Sequence, residues 1–456
     1  MVELEPPTTV RRLVTCPRVG AVCDPRTVAA AGLGAFLVLA VGFTDGGYYG
    51  RAATALTLAF AAAAALGLLH GGSRLPSRAG LTVLAALVAL TGWIALSSAW
   101  AVPGALVEGE VRRALVYACA LAAVLLAIDG SRREPLLLGL LGGISLLGVV
   151  AIERRASSGE VVDRFYGTLL QEPVGYPNAL GVLAALGITL AVGLADGRGL
   201  RDRALGGSAA LLVLVLGLSG SRGAAVALGT GLCLLVALRA RGTRAAAALG
   251  AVAALVVGGA AWEVADRVDA GGLGLVGLAV GTALAGALVR VPDRLATRRA
   301  LITLGASAAL AVTLIAVFQP IATTSSFRTA YWATALDEAR ARPALGSGAG
   351  SFHLTWSERG REGVFVRDAH SLYVEALSEL GPVGLALVLA IVAIPIATAV
   401  RRRGDPLVAV TGAAFAVFAV HAGLDWDWEM PVVTLAALGC AATVLTRPSD
   451  DRQGGN

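Results

Sequence analysis

The chain has 456 residues and no lysine, so its net charge of +6 comes from arginine alone. Charged residues of either sign make up only 15%, where a soluble protein carries roughly 25%. That scarcity excludes a water-soluble enzyme of ordinary composition. In a chain this apolar, the positive balance reads as membrane orientation and not as nucleic-acid binding. Cysteine is also sparse. Cys16, Cys23, Cys119, Cys233 and Cys440 match no zinc spacing and no secreted disulfide framework, and read as packing residues. The arginines before the first apolar segment (Arg11, Arg12, Arg18, Arg26) are not followed by a small-residue cleavage site. That segment reads as a first anchor and not as a removed signal peptide. Neither a repeat of transporter type nor a stretch polar enough to fold alone in water is evident.

What is present is hydrophobic: 56% of residues, with a mean hydropathy of +0.75. About twenty apolar residues cross a bilayer, and on that ruler the chain holds about fourteen spans. The expected fold class is an all-α, polytopic transmembrane helix bundle. The spans run from Val28–Phe43 to Pro431–Leu445, and Ala245–Trp262, Leu273–Val289 and Ala300–Phe318 are among them. Alternate loops are rich in arginine, for example Arg132/Arg133, Arg201/Arg203 and Arg401/Arg402/Arg403. Those loops should be cytoplasmic, which puts both termini inside and the intervening loops outside. The chain divides into a cytoplasmic tail (1–27), N-terminal helices (28–177), central helices (178–321), a long outer loop (322–372), C-terminal helices (373–446) and a second tail (447–456).

The long polar insert is where chemistry is expected, because polar residues in a membrane protein are costly and tend to be functional. Arg328 and Trp332 share a helix face, and Tyr331 and Trp332 suit the headgroup layer. The glycines of PALGSGAGSF, Pro343 to Phe352, suggest a tight turn that brings backbone close to a substrate. In RDAHSLYVEALSELG, Asp368 reads as an N-cap, which puts His370 in the first helical turn. There the positive end of the helix disfavours imidazolium and leaves the neutral ring that a general base requires. Tyr373 then lies on the same side, while Glu375 and Glu379 form a second polar site or a solvated stripe. Outside the insert, Arg222 sits in the short turn LSGSRGA, where its guanidinium can hold two phosphate oxygens. Asn178, in GYPNALG, caps a span or lines a polar path. His421 and Asp425 are one helical turn apart and suggest a pair. The acidic turn Asp425–Glu429 suits sugar hydroxyls, a cation, or plain solvent exposure.

In order and spacing these segments resemble the O-antigen ligase / O-antigen polymerase family of bacterial membrane glycosyltransferases. The carrying features are SRGA at 221–224, R-x-x-x-W at 328–332, P-x-L-G-x-G-x-x-x-F at 343–352 and A-H-S-L-Y-x-E-x-L-x-E-x-G at 369–381. The resemblance implies transfer of a glycan from a polyprenyl-diphosphate carrier to a glycan, lipid or protein acceptor. It places the reaction at the outer face of the bacterial plasma membrane, among membrane lipids, with no metal and no cofactor. It further implies that Arg222 and Arg328 bind the diphosphate and that His370 serves the acceptor hydroxyl. Arg367, Tyr373, Asp425 and Asn178 are the next candidates for substrate binding. The competing class is a multi-span transporter of a small anion or a lipid-linked sugar, which should carry polar residues or broken helices at the bilayer midplane.

Overall fold

The computed structural model describes residues 24–50, 52–69, 76–157, 167–195, 199–239, 272–288, 327–359 and 365–447. These are overwhelmingly helical, and no strand occurs among them. The N-terminal helices are α1 (Pro25–Gly42), α2 (Ala53–Leu69), α3 (Arg78–Leu96), α4 (Val107–Ala127) and α5 (Arg133–Ser157). The central ones are α6 (Pro177–Leu194), α7 (Gly199–Ser219), α8 (Arg222–Arg239) and α9 (Gly272–Leu288). Two short helices follow, α10 (Phe327–Ala341) and α11 (Phe352–Arg359). The chain closes with α12 (Leu372–Arg401), α13 (Pro406–His421) and α14 (Pro431–Leu445). The all-α bundle expected from the sequence is therefore what is found. Two expected spans, Ala245–Trp262 and Ala300–Phe318, lie outside the described residues. Six stretches are long and apolar enough to cross a membrane: Pro25–Gly42, Arg78–Ala99, Arg133–Ser157, Pro177–Leu194, Gly199–Ser219 and Leu372–Arg401.

Helix starts follow local chemistry. Proline stands at the first turn of α1, α6, α13 and α14, where its missing N–H costs nothing. Asp405 caps α13 by accepting from the backbone N–H groups of Leu407 and Val408, and it also pairs with Arg133 at 2.6 Å. Between helices, small residues let backbones approach. A side chain at Gly34 or Gly139 would overlap the facing backbone of α5 or α1. Helices α6, α13 and α14 are buried almost throughout and form the centre of the bundle. Leucines and valines of α2, α3 and α12 (Leu58, Leu66, Val88, Val383, Leu389) are exposed, as a lipid-facing rim requires.

One end of the bundle is elaborated. There α12 is broken at Gly381 (φ 66, ψ −168), followed by Pro382, which has no N–H to donate. The carbonyls freed by the break are taken up from outside the helix. Ser347 N–H donates to Ser378 O (3.0 Å), Gly348 N–H to Glu379 O (2.8 Å) and the Trp93 indole to Leu380 O (2.9 Å). In return, the Glu379 carboxylate accepts from the backbone N–H groups of Gly350, Ser351 and Phe352 at 2.7–2.8 Å, at the start of α11. The PALGSGAGSF turn therefore clasps the broken helix, where the sequence had suggested approach to a substrate. Glu379 is buried and bonded, and is not part of a solvated stripe. Alanine at Gly381 would be strained at positive φ and would put its Cβ 2.6 Å from Ala344 O. Gly381→Ala is expected to destabilise by at least ~2 kcal/mol, read as a lower melting temperature and yield of detergent-purified protein. An unchanged melting temperature would mean that the break is not needed.

Candidate functional site

The turn joining α13 to α14 lies at the centre of the elaborated end and delivers Asp425, which is fully buried. Its carboxylate is a hub. Tyr176 Oη donates to both oxygens (2.9 and 3.0 Å), Asn178 Nδ2 to Oδ2 (2.6 Å), Arg328 Nη2 to Oδ2 (2.8 Å) and the Trp426 N–H to Oδ1 (3.0 Å). The fifth partner is His370, whose Nδ1 stands 2.9 Å from Oδ1. Burial alone would raise the Asp425 pKa. The Arg328 guanidinium, then the His370 hydrogen bond, overturn that and hold it well below the usual carboxylate range. Reciprocally, burial lowers the Arg328 pKa, and Asp425 together with Tyr176 and Asp427 outweighs it, so the net shift is upward.

His370 does not lie in a helix. α12 begins at Leu372 with Ser371 as its N-cap, and His370 precedes it at φ +54. The helix-terminus argument made from the sequence therefore does not apply, and the carboxylate of Asp425 takes its place. A non-glycine residue at positive φ carries strain that the surroundings must hold, a pattern found at functional sites. The surroundings here are specific. The ring stacks on Tyr331 (5.2 Å between centroids) and lies beside Trp426 (5.1 Å), while the Trp332 indole donates to the His370 carbonyl at 3.3 Å. Arg328, Tyr331 and Trp332, on one face of α10, thus all close over His370. The two aromatics were expected in the headgroup layer. In the fold they pack with Phe352, Trp356 and Val366 on the bundle end. With Nδ1 on Asp425, Nε2 of His370 makes no hydrogen bond among the described residues.

Arg222 opens α8 beside the hub. On α6, Gly181 lies one turn below Asn178 and abuts Ser219 and Ser221, and Gly223 abuts the His421 ring and Leu424. Ser221 Oγ caps α8 by accepting the Ala224 N–H (3.3 Å). Arg222 itself is half-buried and has no ion pair or hydrogen bond among the described residues. The backbone of α8 thus starts next to the Asp425 turn, and the Arg222 guanidinium is uncommitted among the described residues.

Other expectations change. His421 pairs with Asp427 (2.7 Å), not with Asp425, because α13 ends at His421 and the chain reverses through the next residues. The acidic turn is buried and not solvated: Asp425, Asp427 and Glu429 are 0%, 1% and 4% exposed. Asn178 does not cap α6; it reaches across to Asp425, the polar-path alternative. Tyr373 spends its hydroxyl on the Ala419 carbonyl (2.6 Å). Arg367 lies over the Tyr48 ring, 5.0 Å from its centroid, on the far side of Tyr48 and Trp426 from His370. Near it, Asp368, Glu375 and Glu429 offer carboxylate oxygens within 4.8 Å of one another. Burial pushes Asp368 up to about 6, against the pull of Arg113 and Arg367. Tyr176, Tyr331 and Trp426 shape the site and were missed as members of it, although Tyr176 stands in the GYPNALG fragment beside Asn178.

The assembled site offers a carboxylate-oriented imidazole with one free nitrogen, a guanidinium bound to that carboxylate, and a second guanidinium left free. Such a set can take a proton from a hydroxyl and hold a polyanionic leaving group. No curated protein matches the chain. Residues 207–389 match the model of the O-antigen ligase family, a stretch that includes Arg222, Arg328 and His370. Over that stretch the chain is similar to the O-antigen ligase/polymerase-like family, and with six long apolar helices this match supports a multi-pass membrane protein of polysaccharide biosynthesis.

Proposed function

We propose that this protein transfers a glycan from a polyprenyl-diphosphate carrier to an acceptor hydroxyl at the outer face of a bacterial plasma membrane. The observation that carries the reading is the meeting of His370 and Arg328 on Asp425, with the start of α8, which bears Arg222, packed beside the same turn. They come from segments 97, 55 and more residues apart in sequence. Nε2 of His370 accepts the acceptor's proton as its oxygen attacks the anomeric carbon. Asp425 fixes the tautomer through Nδ1 and stabilises the imidazolium that forms. The bond from the anomeric carbon to the diphosphate oxygen breaks, and the electron pair leaves with the diphosphate. Attack opposite that bond inverts the configuration. Arg222 and the N–H groups of Arg328 not used by Asp425 stabilise the departing charge. No metal enters these steps. Arginine cannot be the base, since it stays protonated in proteins.

Arginine placement supports the assignment of the site to the outer side of the membrane. The end opposite the site carries Arg78, Arg132, Arg133, Arg201, Arg203 and Arg401–Arg403, which supports a cytoplasmic assignment for it. The arginines at the site end are drawn largely into carboxylate pairs, such as Arg113 with Glu110 and Arg154 with Glu172. The test is a reconstituted assay with a polyprenyl-diphosphate glycan as donor. Arg222 holds no partner among the described residues, so Arg222→Gln should leave the melting temperature unchanged and weaken donor binding about tenfold or more. Unaltered donor binding in that variant would remove Arg222 from the site.

A further inference from the structure

A second cavity lies beside Tyr48, lined mostly by helices that precede the family match. It has a volume of about 150 Å³ and is formed by α1, the Asp45–Gly47 turn, α2 and α4, with Arg367, which does fall within the matched residues, closing one side. Its lining is two-faced. Leu56, Val116 and other small apolar residues form one wall, and Arg112, Arg113 and Arg367 form the other. The three guanidiniums are not equally engaged. Arg113 is held from behind by Glu110 and, at 4.0 Å, by Glu429. Among the described residues Arg112 pairs with Glu108 alone, at the surface, where both side chains are more than half exposed, a contact of little energetic weight. Arg367 makes no ion pair or hydrogen bond among the described residues; it rests on the Tyr48 ring, 5.0 Å from the centroid. A half-buried cation stacked on an aromatic face, with Asp368 as a charged neighbour but no bonded partner among the described residues, keeps its N–H groups for an anion.

The cavity is also placed with respect to the first site. Tyr48 lies 5.1 Å from Trp426, and Trp426 5.1 Å from His370, so one pair of aromatic rings separates the cavity from the imidazole. Cationic on one wall and apolar on the other, at one end of a membrane bundle, the cavity suits a phosphate group with a hydrocarbon chain attached. We propose that it is a second lipid-phosphate site, which anchors the phosphate-bearing headgroup of a lipid-linked acceptor while the acceptor's hydroxyl reaches past Trp426 to His370. Naming the occupant as the acceptor rests on the transferase reading above; the lipid-phosphate site itself does not.

The two parts are tested separately with the full-length protein in phosphatidylcholine nanodiscs, using radiolabelled polyprenyl diphosphate as the probe. The wild type is expected to bind two molecules per chain. Arg222→Gln should retain one, and the double variant Arg112→Gln/Arg367→Gln should retain the other. The single variant Arg367→Gln, which removes no carboxylate partner, should weaken one of the two molecules about tenfold. A wild type that binds one molecule, or a double variant that keeps both or loses both, overturns the second site. Displacement of the Arg367-dependent molecule by a tenfold excess of phosphatidylglycerol would mark a bulk anionic-lipid site and overturn the acceptor assignment. Equal displacement by inorganic pyrophosphate at the same concentration would overturn the need for a lipid. In the transfer assay, Arg367→Gln should slow the reaction at limiting lipid-linked acceptor and not at saturation. Slowing at saturation alone would also overturn the acceptor role. If the wild type transfers no glycan at all, the transferase reading fails, and the binding stoichiometry still decides the site.

Discussion

His370→Ala is expected to yield a folded, membrane-inserted protein whose glycan transfer is slower by roughly 10²–10⁴-fold, the ordinary contribution of a positioned acid–base group. Stability should change little by comparison. The ring is 17% exposed, it makes one side-chain hydrogen bond, and its loss costs that bond and the packing on Tyr331 and Trp426, against a backbone at positive φ that is strained in either residue. Binding of the lipid-diphosphate donor should persist, because Arg222 and Arg328 do not depend on the imidazole. The measurement is transfer rate under saturating donor, beside donor affinity and melting temperature. A variant that transfers at the wild-type rate would sink the general-base role. One that loses donor binding and transfer together would recast His370 as a binding group.

Much of this arrangement was legible in the sequence, and the boundary between what was and was not legible has a physical cause. The bundle could be read because span length, the apolar run and the arginine-rich loops are local properties, each contained within about twenty residues. His370, Arg222 and Arg328 could be read because each sits in a short recognisable segment. The hub could not. Asp425 takes its partners from positions 249, 247, 97 and 55 residues away, and nothing local to HAGLDWDWEMP says which carboxylate they will choose. The helical-spacing rule pointed to His421–Asp425 and failed because the helix stops at His421, so Asp427 swings back onto the ring. Tyr331 and Trp332 read as interfacial because their hydropathy fits that layer. Their place under α10 is fixed by Phe352 and Trp356, on a helix that the sequence did not reveal. The Gly-rich turn was misread in the same way. Its N–H groups answer carbonyls that a break at Gly381 sets free some thirty residues later.

Asp425→Asn tests whether that hub orients the chemistry or merely holds the bundle end together. The amide keeps the volume and can still accept from Tyr176. It cannot balance Arg328, and it cannot dictate which nitrogen of His370 carries the proton, since an amide donates as readily as it accepts. The expected result is a loss of transfer of roughly 10³–10⁴-fold, the scale seen when a triad carboxylate is made an amide. The accompanying stability loss should be modest, about 1–3 kcal/mol, because Arg328 keeps some access to water and is not left as a fully buried charge. A purely packing role would give the stability loss without the kinetic one. Alanine at 425 would then be no slower than asparagine per folded molecule. The pH dependence supplies a separate check. The Asp425 pKa is depressed, so its stabilising contribution is complete above the ordinary carboxylate range near pH 4 and is lost only as pH falls through the lower folded value. The difference in melting temperature between wild type and Asp425→Asn should therefore stay constant from about pH 8 to pH 5 and close only in stronger acid. A gap that already closes between pH 7 and pH 5 would mean that the carboxylate is not held ionised by Arg328 and His370, and the orientation of the imidazole would need another source.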